Sequence, residues 1–205
     1  MAGVSSDMAR LPNPSANHEH FEARLAVIKS QLSRVKNPII VMGDSIVESA
    51  LLPTSLCGHA VINAGIGGAT IGFFTRYAEI ITRNSEPALT VLAVGINDAV
   101  KGSKTDLFRS AYSATLKSIR SPVALATIVT ASSPIIEQNA IDDFNIAINE
   151  LSDGRTLIDL HKAVAGDFTV DGIHLNDVGY RLWTGALLSG VKRALACDTH
   201  GSSEN

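Results

Sequence analysis

The apolar residues of this 205-residue chain form short continuous runs, separated by longer segments in which they recur every three or four positions. Continuous runs rich in β-branched residues predict strands buried on both faces of a sheet, and the three-to-four spacing predicts amphipathic helices. The predicted strands are 39–42, 60–63, 88–94, 123–130 and 156–159. The predicted helices are 19–35, 46–50, 71–82, 105–119, 135–151 and 177–196.

This alternation of strands and helices predicts one α/β domain. Right-handed βαβ crossovers place helices on both faces of a parallel sheet, so we expect a three-layer α/β/α sandwich with a flavodoxin-like central parallel five-stranded sheet. The domain is expected to span residues 18–197. The preceding segment, 1–17, is expected to be flexible, and residues 198–205 read as a polar tail.

Composition narrows the classes of partner. The 17 basic and 20 acidic residues leave a net charge of -3 with no basic stripe, which argues against nucleic acid and against a polybasic membrane anchor. No apolar stretch reaches transmembrane length, and the first residues lack the apolar region of an export signal, which favours the cytoplasm. Cys57 and Cys197 are too few for a disulfide framework and lack C-x-x-C spacing, so we expect two inert thiols.

A serine follows the first predicted strand, in the triplet Gly43-Asp44-Ser45. Glycine permits a sharp turn out of a strand, and a serine just beyond it can point its hydroxyl into the crevice where open α/β sheets bind ligands. The alternative is an ordinary helix N-cap, for which Ser and Asp are both preferred. The Gly-x-Ser-x-Gly elbow of α/β-hydrolases is absent, because Val47 stands where its second glycine would be.

Two further motifs follow the next two strands. The glycine-rich segment 63–70 can present backbone N–H groups to negative charge, although it is equally compatible with a plain turn. Dinucleotide binding is disfavoured because Thr70 occupies the last glycine position of Gly-x-Gly-x-x-Gly. Asn97 can donate its side-chain amide to an oxyanion, or simply cap a turn together with Asp98.

The fourth motif is Asp171-Gly-Ile-His174, near the C-terminus. Residues three apart on one turn share a side, so His174 can face Ser45 while Asp171 orients the imidazole. A surface turn and a pair of metal ligands are the alternatives, and a metal site would need at least one more ligand. Serine, histidine and aspartate in these places are the parts of a nucleophilic hydrolase that requires no metal or cofactor.

Over residues 37–196 these four motifs together resemble the GDSL-type esterases and lipases of the SGNH hydrolase superfamily. The resemblance implies Ser45 as nucleophile, His174 as general base and acid, and Asp171 as its orienting partner. It also implies an oxyanion hole made by the N–H groups of Ser45 and Gly68 and the amide of Asn97. The chain departs from the family at Ile46, where leucine is frequent, and at Ala69, where many relatives carry a polar residue.

The expected function is hydrolysis of a small-molecule carboxylic ester with a short acyl chain, through an acyl-serine intermediate. An acetyl ester of a sugar is one candidate substrate. Acyl transfer to a hydroxyl by the same residues, and a non-catalytic binding module that retains the fold, are the alternatives; the oligomeric state is left open. The residues expected to line the substrate pocket are Ile46, Val47, Gly67, Ala99, Val100 and Ile173.

Overall fold

The structure is a computed structural model that describes residues 14–137 and 139–197. Its helices are α1 (Pro14–Leu32), α2 (Ser45–Glu48), α3 (Ile71–Thr82), α4 (Ile96–Val100), α5 (Thr105–Ser118), α6 (Ala140–Leu151), α7 (Leu160–Ala163) and α8 (Asp177–Ala194). Its strands are β1 (Ile39–Gly43), β2 (Ser55–Leu56), β3 (His59–Gly65), β4 (Leu89–Ala93), β5 (Val123–Ala126) and β6 (Leu157–Ile158). Residues 1–13 and 198–205 lie outside the described part. Most of the segment expected to be flexible, 1–17, and all of the expected polar tail, 198–205, are therefore not described.

The sheet has the strand order β2-β3-β1-β4-β5-β6 and helices on both faces, which confirms the predicted α/β sandwich. Strands β3, β1, β4, β5 and β6 run parallel, in the order typical of flavodoxin-like folds. The sheet has one strand more than the five predicted, because β2 pairs antiparallel with β3 at its edge. Two residues are too few to show a periodicity, so this strand had no signal in the sequence.

Strand β1 is the centre of the fold and leads directly to the candidate nucleophile. All five of its residues are buried, and it pairs with β3 on one side and β4 on the other. A side chain on its last residue, Gly43, would place Cβ 2.3 Å from the carbonyl oxygen of Ala93 and 2.3 Å from Val47. The chain can therefore leave the sheet this tightly only with glycine at position 43.

Strand β5 and helix α6 are shorter than their patterns predict. Beyond Ala126 the chain leaves the sheet because β6 contributes only two residues as partners. The Asn145 side chain takes over this role, accepting from the Ile128 N–H (2.7 Å) and donating to the Ile128 carbonyl (3.0 Å). Helix α6 then begins at Ala140 instead of Ile135, whereas α1 already begins at Pro14.

The two cysteines are joined, which corrects the expectation of inert thiols. Cys57 lies in the turn between β2 and β3, Cys197 follows α8, and a disulfide links them with Cα atoms 5.8 Å apart. Their separation of 140 residues gave no hint of contact, since only the folded chain brings the end of α8 to the edge of the sheet.

None of the described helices combines the length and apolar character that crossing a bilayer requires.

Candidate active site

Ser45 is the first residue of α2, at the carboxyl end of the central strand. The preceding residue, Asp44, is the N-cap of this short helix and accepts a hydrogen bond from the Ile46 N–H at 3.0 Å. Tyr180 of α8 donates its hydroxyl to the Ile46 carbonyl at 3.1 Å. These contacts hold the turn that carries the serine from both sides.

Ser45, His174 and Asp171 form one hydrogen-bonded chain. Ser45 Oγ lies 2.9 Å from His174 Nε2, and His174 Nδ1 lies 2.6 Å from Asp171 Oδ2. The other carboxylate oxygen of Asp171 accepts from the backbone N–H groups of His174 (2.7 Å) and Ile173 (3.0 Å). The backbone N–H and then the imidazole of His174 lower the pKa of Asp171 to about 2. Asp171 is therefore a carboxylate at neutral pH, oriented to stabilise a charged imidazole.

The loop that carries His174 is fixed against its neighbours. The Val170 N–H donates to the His174 carbonyl at 2.8 Å, which closes the loop on itself. The Gly172 carbonyl accepts from the N–H groups of Ser132 (2.9 Å) and Ser133 (3.1 Å), so the loop docks on the segment after β5. Gly172 has φ +84, and a Cβ there would lie 2.9 Å from the Ser133 nitrogen, so the docking requires glycine.

The three expected oxyanion donors lie at the ends of adjacent strands, β1, β3 and β4. We call residues 65–68, which end β3 and turn out of the sheet, the glycine loop; Gly68 has φ +77. Asn97, at the start of α4, donates from Nδ2 to the Ala69 carbonyl at 3.0 Å, which places its amide beside this loop. Within the described part of the chain, the N–H groups of Ser45 and Gly68 donate to no acceptor. Both N–H groups are thus free to donate to a bound ligand.

Two buried carboxyl groups lie close to the site and were not singled out from the sequence. Asp44 is only 3% exposed and Asp98 only 4%. Asp98 accepts from the Ile71 N–H at 2.9 Å, at the first turn of α3. Burial raises the pKa of Asp44 to about 7, with the nearby Asp98 adding to it, and burial raises the pKa of Asp98 to about 6. Only their places next to Ser45 and Asn97 could have indicated them.

Half of the residues expected in the substrate pocket have buried side chains. Ile46 (5% exposed), Val47 (1%) and Ala99 (1%) belong to the core, because their short helices turn these side chains toward the sheet. The other three expected pocket residues, Gly67, Val100 and Ile173, are partly exposed. Contact of these six residues with substrate stays a prediction.

Beside the His174 loop lies a groove of about 1020 Å³ that the sequence did not reveal. Its walls include the strongly exposed Leu51 and Val170, together with Tyr180 and Leu188 of α8.

The described residues contain no group of three or more His, Cys, Asp or Glu side chains suited to a metal ion, in this groove or elsewhere.

Comparison with known proteins identifies the family of this chain. The model of the GDSL-like lipase/acylhydrolase family matches residues 41–182, more than half of the chain. A comparison with curated protein sequences finds no match.

Solved structures share the fold. One from Streptococcus pneumonia has a TM-score of 0.75 at 20% identity and covers 85% of this chain and 94% of its own. The lipase/acylhydrolase from Enterococcus faecalis has a TM-score of 0.68 at 26% identity, with 76% and 96% covered. The acetyl xylan esterase AlAXEase has a TM-score of 0.65 at 25% identity, with 75% and 99% covered. The chain therefore belongs to the GDSL-like lipase/acylhydrolase family of SGNH hydrolases.

Proposed function

We propose that this protein hydrolyses carboxylic esters with Ser45 as the nucleophile. The observation that carries the proposal is the chain of contacts from Ser45 Oγ to His174 Nε2 (2.9 Å) and from His174 Nδ1 to Asp171 Oδ2 (2.6 Å). A nucleophile within hydrogen-bonding reach of a base, itself oriented by a third group, is the arrangement that activates a serine. A binding module would not need all three side chains in this geometry.

The reaction takes place in two steps. His174 Nε2 accepts the Ser45 proton as Oγ attacks the ester carbonyl carbon, and Asp171 stabilises the resulting imidazolium. The carbonyl oxygen becomes an oxyanion that accepts from the N–H groups of Ser45 and Gly68 and from the Asn97 amide. His174 then donates the proton to the departing alcohol, leaving an acyl-serine. In the second step His174 accepts a proton from water as the water oxygen attacks the acyl carbon. His174 then donates that proton to Ser45 Oγ as the bond between Oγ and the acyl carbon breaks and the carboxylic acid leaves.

The proposed substrates are esters with short acyl groups, with acetyl esters of carbohydrates as the leading class. Gly67 and Gly68 carry no side chains, and His174 and Asp171 are 41% and 51% exposed, so the site is open at the sheet edge and a bulky alcohol such as a sugar can approach. The similarity to an acetyl xylan esterase at 25% identity supports the same class.

Hydrolysis of p-nitrophenyl esters from acetyl to dodecanoyl tests this proposal, followed by acetate release from an acetylated xylo-oligosaccharide. We expect the highest kcat/KM on the acetyl or butyryl ester, and no activity above background for Ser45→Ala. Ser110→Ala, an exposed serine on α5, is the matched control and should keep full activity. Equal rates for wild type and Ser45→Ala would refute ester hydrolysis by Ser45. A preference for dodecanoyl esters would refute the proposal that the acyl groups are short. Ester products formed with an added alcohol would instead favour acyl transfer.

A further inference from the structure

The glycine loop is held by a side chain that has no part in the reaction steps above. Glu48, the last residue of α2, accepts a hydrogen bond from the Gly67 N–H through Oε2. Gly67 directly precedes Gly68, whose N–H is a proposed oxyanion donor. The position of the Glu48 carboxylate therefore helps to decide where the Gly68 N–H points.

Two side chains of α1 hold the Glu48 carboxylate in turn. Arg24 Nε lies 3.3 Å from Glu48 Oε1, and His20 Nε2 lies 3.0 Å from Glu48 Oε2. Arg24 also donates to the Gly65 carbonyl (2.8 Å from Nη2 and 3.1 Å from Nε) and, at 3.4 Å, to the Asn63 carbonyl. One guanidinium thus binds both the glycine loop and the carboxylate that holds it.

This pair is better shielded from water than an ordinary surface ion pair. The side chains of Arg24 and Glu48 are 23% and 21% exposed, whereas His20 is 44% exposed. Charge interactions between partly buried groups are screened less by solvent and salt. Helix α1 lies outside the residues matched by the family model, 41–182, so Arg24 is a contribution of this chain beyond the matched region.

The charge of Glu48 makes its partner important for the reaction. Negative charge develops on the carbonyl oxygen in the transition state, and a bare carboxylate beside the oxyanion donors would oppose it. The positive charge of Arg24, in direct contact with Glu48, offsets the negative charge of this carboxylate. We propose that Glu48 and Arg24 are positioning residues of the oxyanion hole: Glu48 fixes the glycine loop, and Arg24 orients and neutralises Glu48. This inference rests on the proposed ester hydrolysis.

A double-mutant experiment separates the electrostatic role from a merely structural one. The variants are Arg24→Ala, Glu48→Gln and the double variant Arg24→Ala/Glu48→Gln, with kcat and KM measured on p-nitrophenyl acetate and the melting temperature recorded for each. Glutamine keeps an oxygen that accepts from the Gly67 N–H but carries no charge. Arg109→Ala, which breaks the ion pair between Arg109 of α5 and Glu150 of α6, is the matched control.

We expect Arg24→Ala to lower kcat at least about tenfold with little change in KM, because small misplacements at a reacting centre cost up to about 10²-fold. Glu48→Gln should stay within about threefold of wild type, because the loop keeps its acceptor. The double variant should recover part of the activity that Arg24→Ala loses, because the uncompensated charge of Glu48 is gone although the contacts of Arg24 with the Gly65 and Asn63 carbonyls stay lost. Arg109→Ala should leave kcat unchanged.

Failure to recover activity in the double variant would overturn the inference, as would an Arg24→Ala loss no larger than its loss of folded protein. In either case wild type still hydrolyses the ester and reacts covalently with a fluorophosphonate, so ester hydrolysis by Ser45 stands. A wild-type protein that does neither refutes the proposed function, and the inference with it.

Discussion

Asp44 directly precedes the proposed nucleophile, Ser45. Replacing it by asparagine should remove much of the folding stability that this protein loses as the pH rises. The Asp44 carboxyl is 3% exposed, and burial, together with the nearby Asp98, raises its pKa from an ordinary value of 3.8 to about 7. The folded protein therefore holds a proton that the unfolded chain releases above pH 4. A raised pKa contributes stability that is fully present below pH 4 and is lost as the pH rises through about 7.

The size of the effect follows from the two pKa values. The difference between the folded and unfolded pKa of Asp44 lowers the unfolding free energy by about 4 kcal/mol between pH 4 and pH 8. Asp98, with a pKa raised to about 6, acts in the same direction and remains in the variant. Asp171, with its pKa lowered to about 2, acts in the opposite direction but only below pH 4, outside the window.

Urea unfolding at pH 4.5 and pH 8 measures this directly. The introduced asparagine cannot ionise and keeps an oxygen that can accept from the Ile46 N–H. Asp44→Asn should therefore exceed wild type by only about 1 kcal/mol at pH 4.5 and by about 4 kcal/mol at pH 8. Asp153→Asn, an exposed aspartate after α6, is the control and should follow wild type at both pH values. The reasoning is refuted if Asp44→Asn loses as much stability between the two pH values as wild type does.

Three further predictions concern α8, the disulfide and the oxyanion hole. Gly190→Ala should cost about 1–3 kcal/mol, because its Cβ would lie 2.5 Å from Ile158, whereas Gly185→Ala on the same helix meets open space and should gain about 1 kcal/mol; equal melting temperatures would contradict this. Cys57→Ser should lower the unfolding free energy by about 2–5 kcal/mol under oxidising conditions and by nothing once wild type is reduced, as thermal melts with and without reductant will show. Asn97→Ala should lower kcat on p-nitrophenyl acetate about 10²–10³-fold while Lys104→Ala does not; a loss confined to KM would argue against an oxyanion contact.

The pattern of hydrophobic residues predicted most of the fold. The continuous run Ile39–Met42 identified the central strand, because only a strand covered on both faces can bury every residue. The spacing of apolar residues in α3 located that helix at both ends, 71 and 82. Strand β2 was not predicted because it is only two residues long. The early end of β5 was not predicted because it depends on Asn145, which contacts Ile128 across 17 residues of sequence.

The candidate site was visible in the sequence where its chemistry lies in local motifs. Ser45, Asn97 and the Asp171-His174 pair each follow a strand or form a loop, and parallel topology brings such positions to one edge. Burial was not visible: Ile46 and Val47 flank the serine in sequence, yet their side chains enter the core. The contact between Arg24 and Glu48 was equally hidden, since it depends on how α1 docks beside β3.

The most direct test of the central claim is the intact mass of the protein after incubation with a fluorophosphonate, followed by identification of the labelled peptide. Only a serine activated by a base reacts readily with such a reagent. We expect a single adduct on the peptide that contains Ser45, greatly slowed labelling of His174→Ala, and none of Ser45→Ala. Wild type without an adduct, or Ser45→Ala labelled as fast as wild type, would contradict the assignment of Ser45 as the nucleophile.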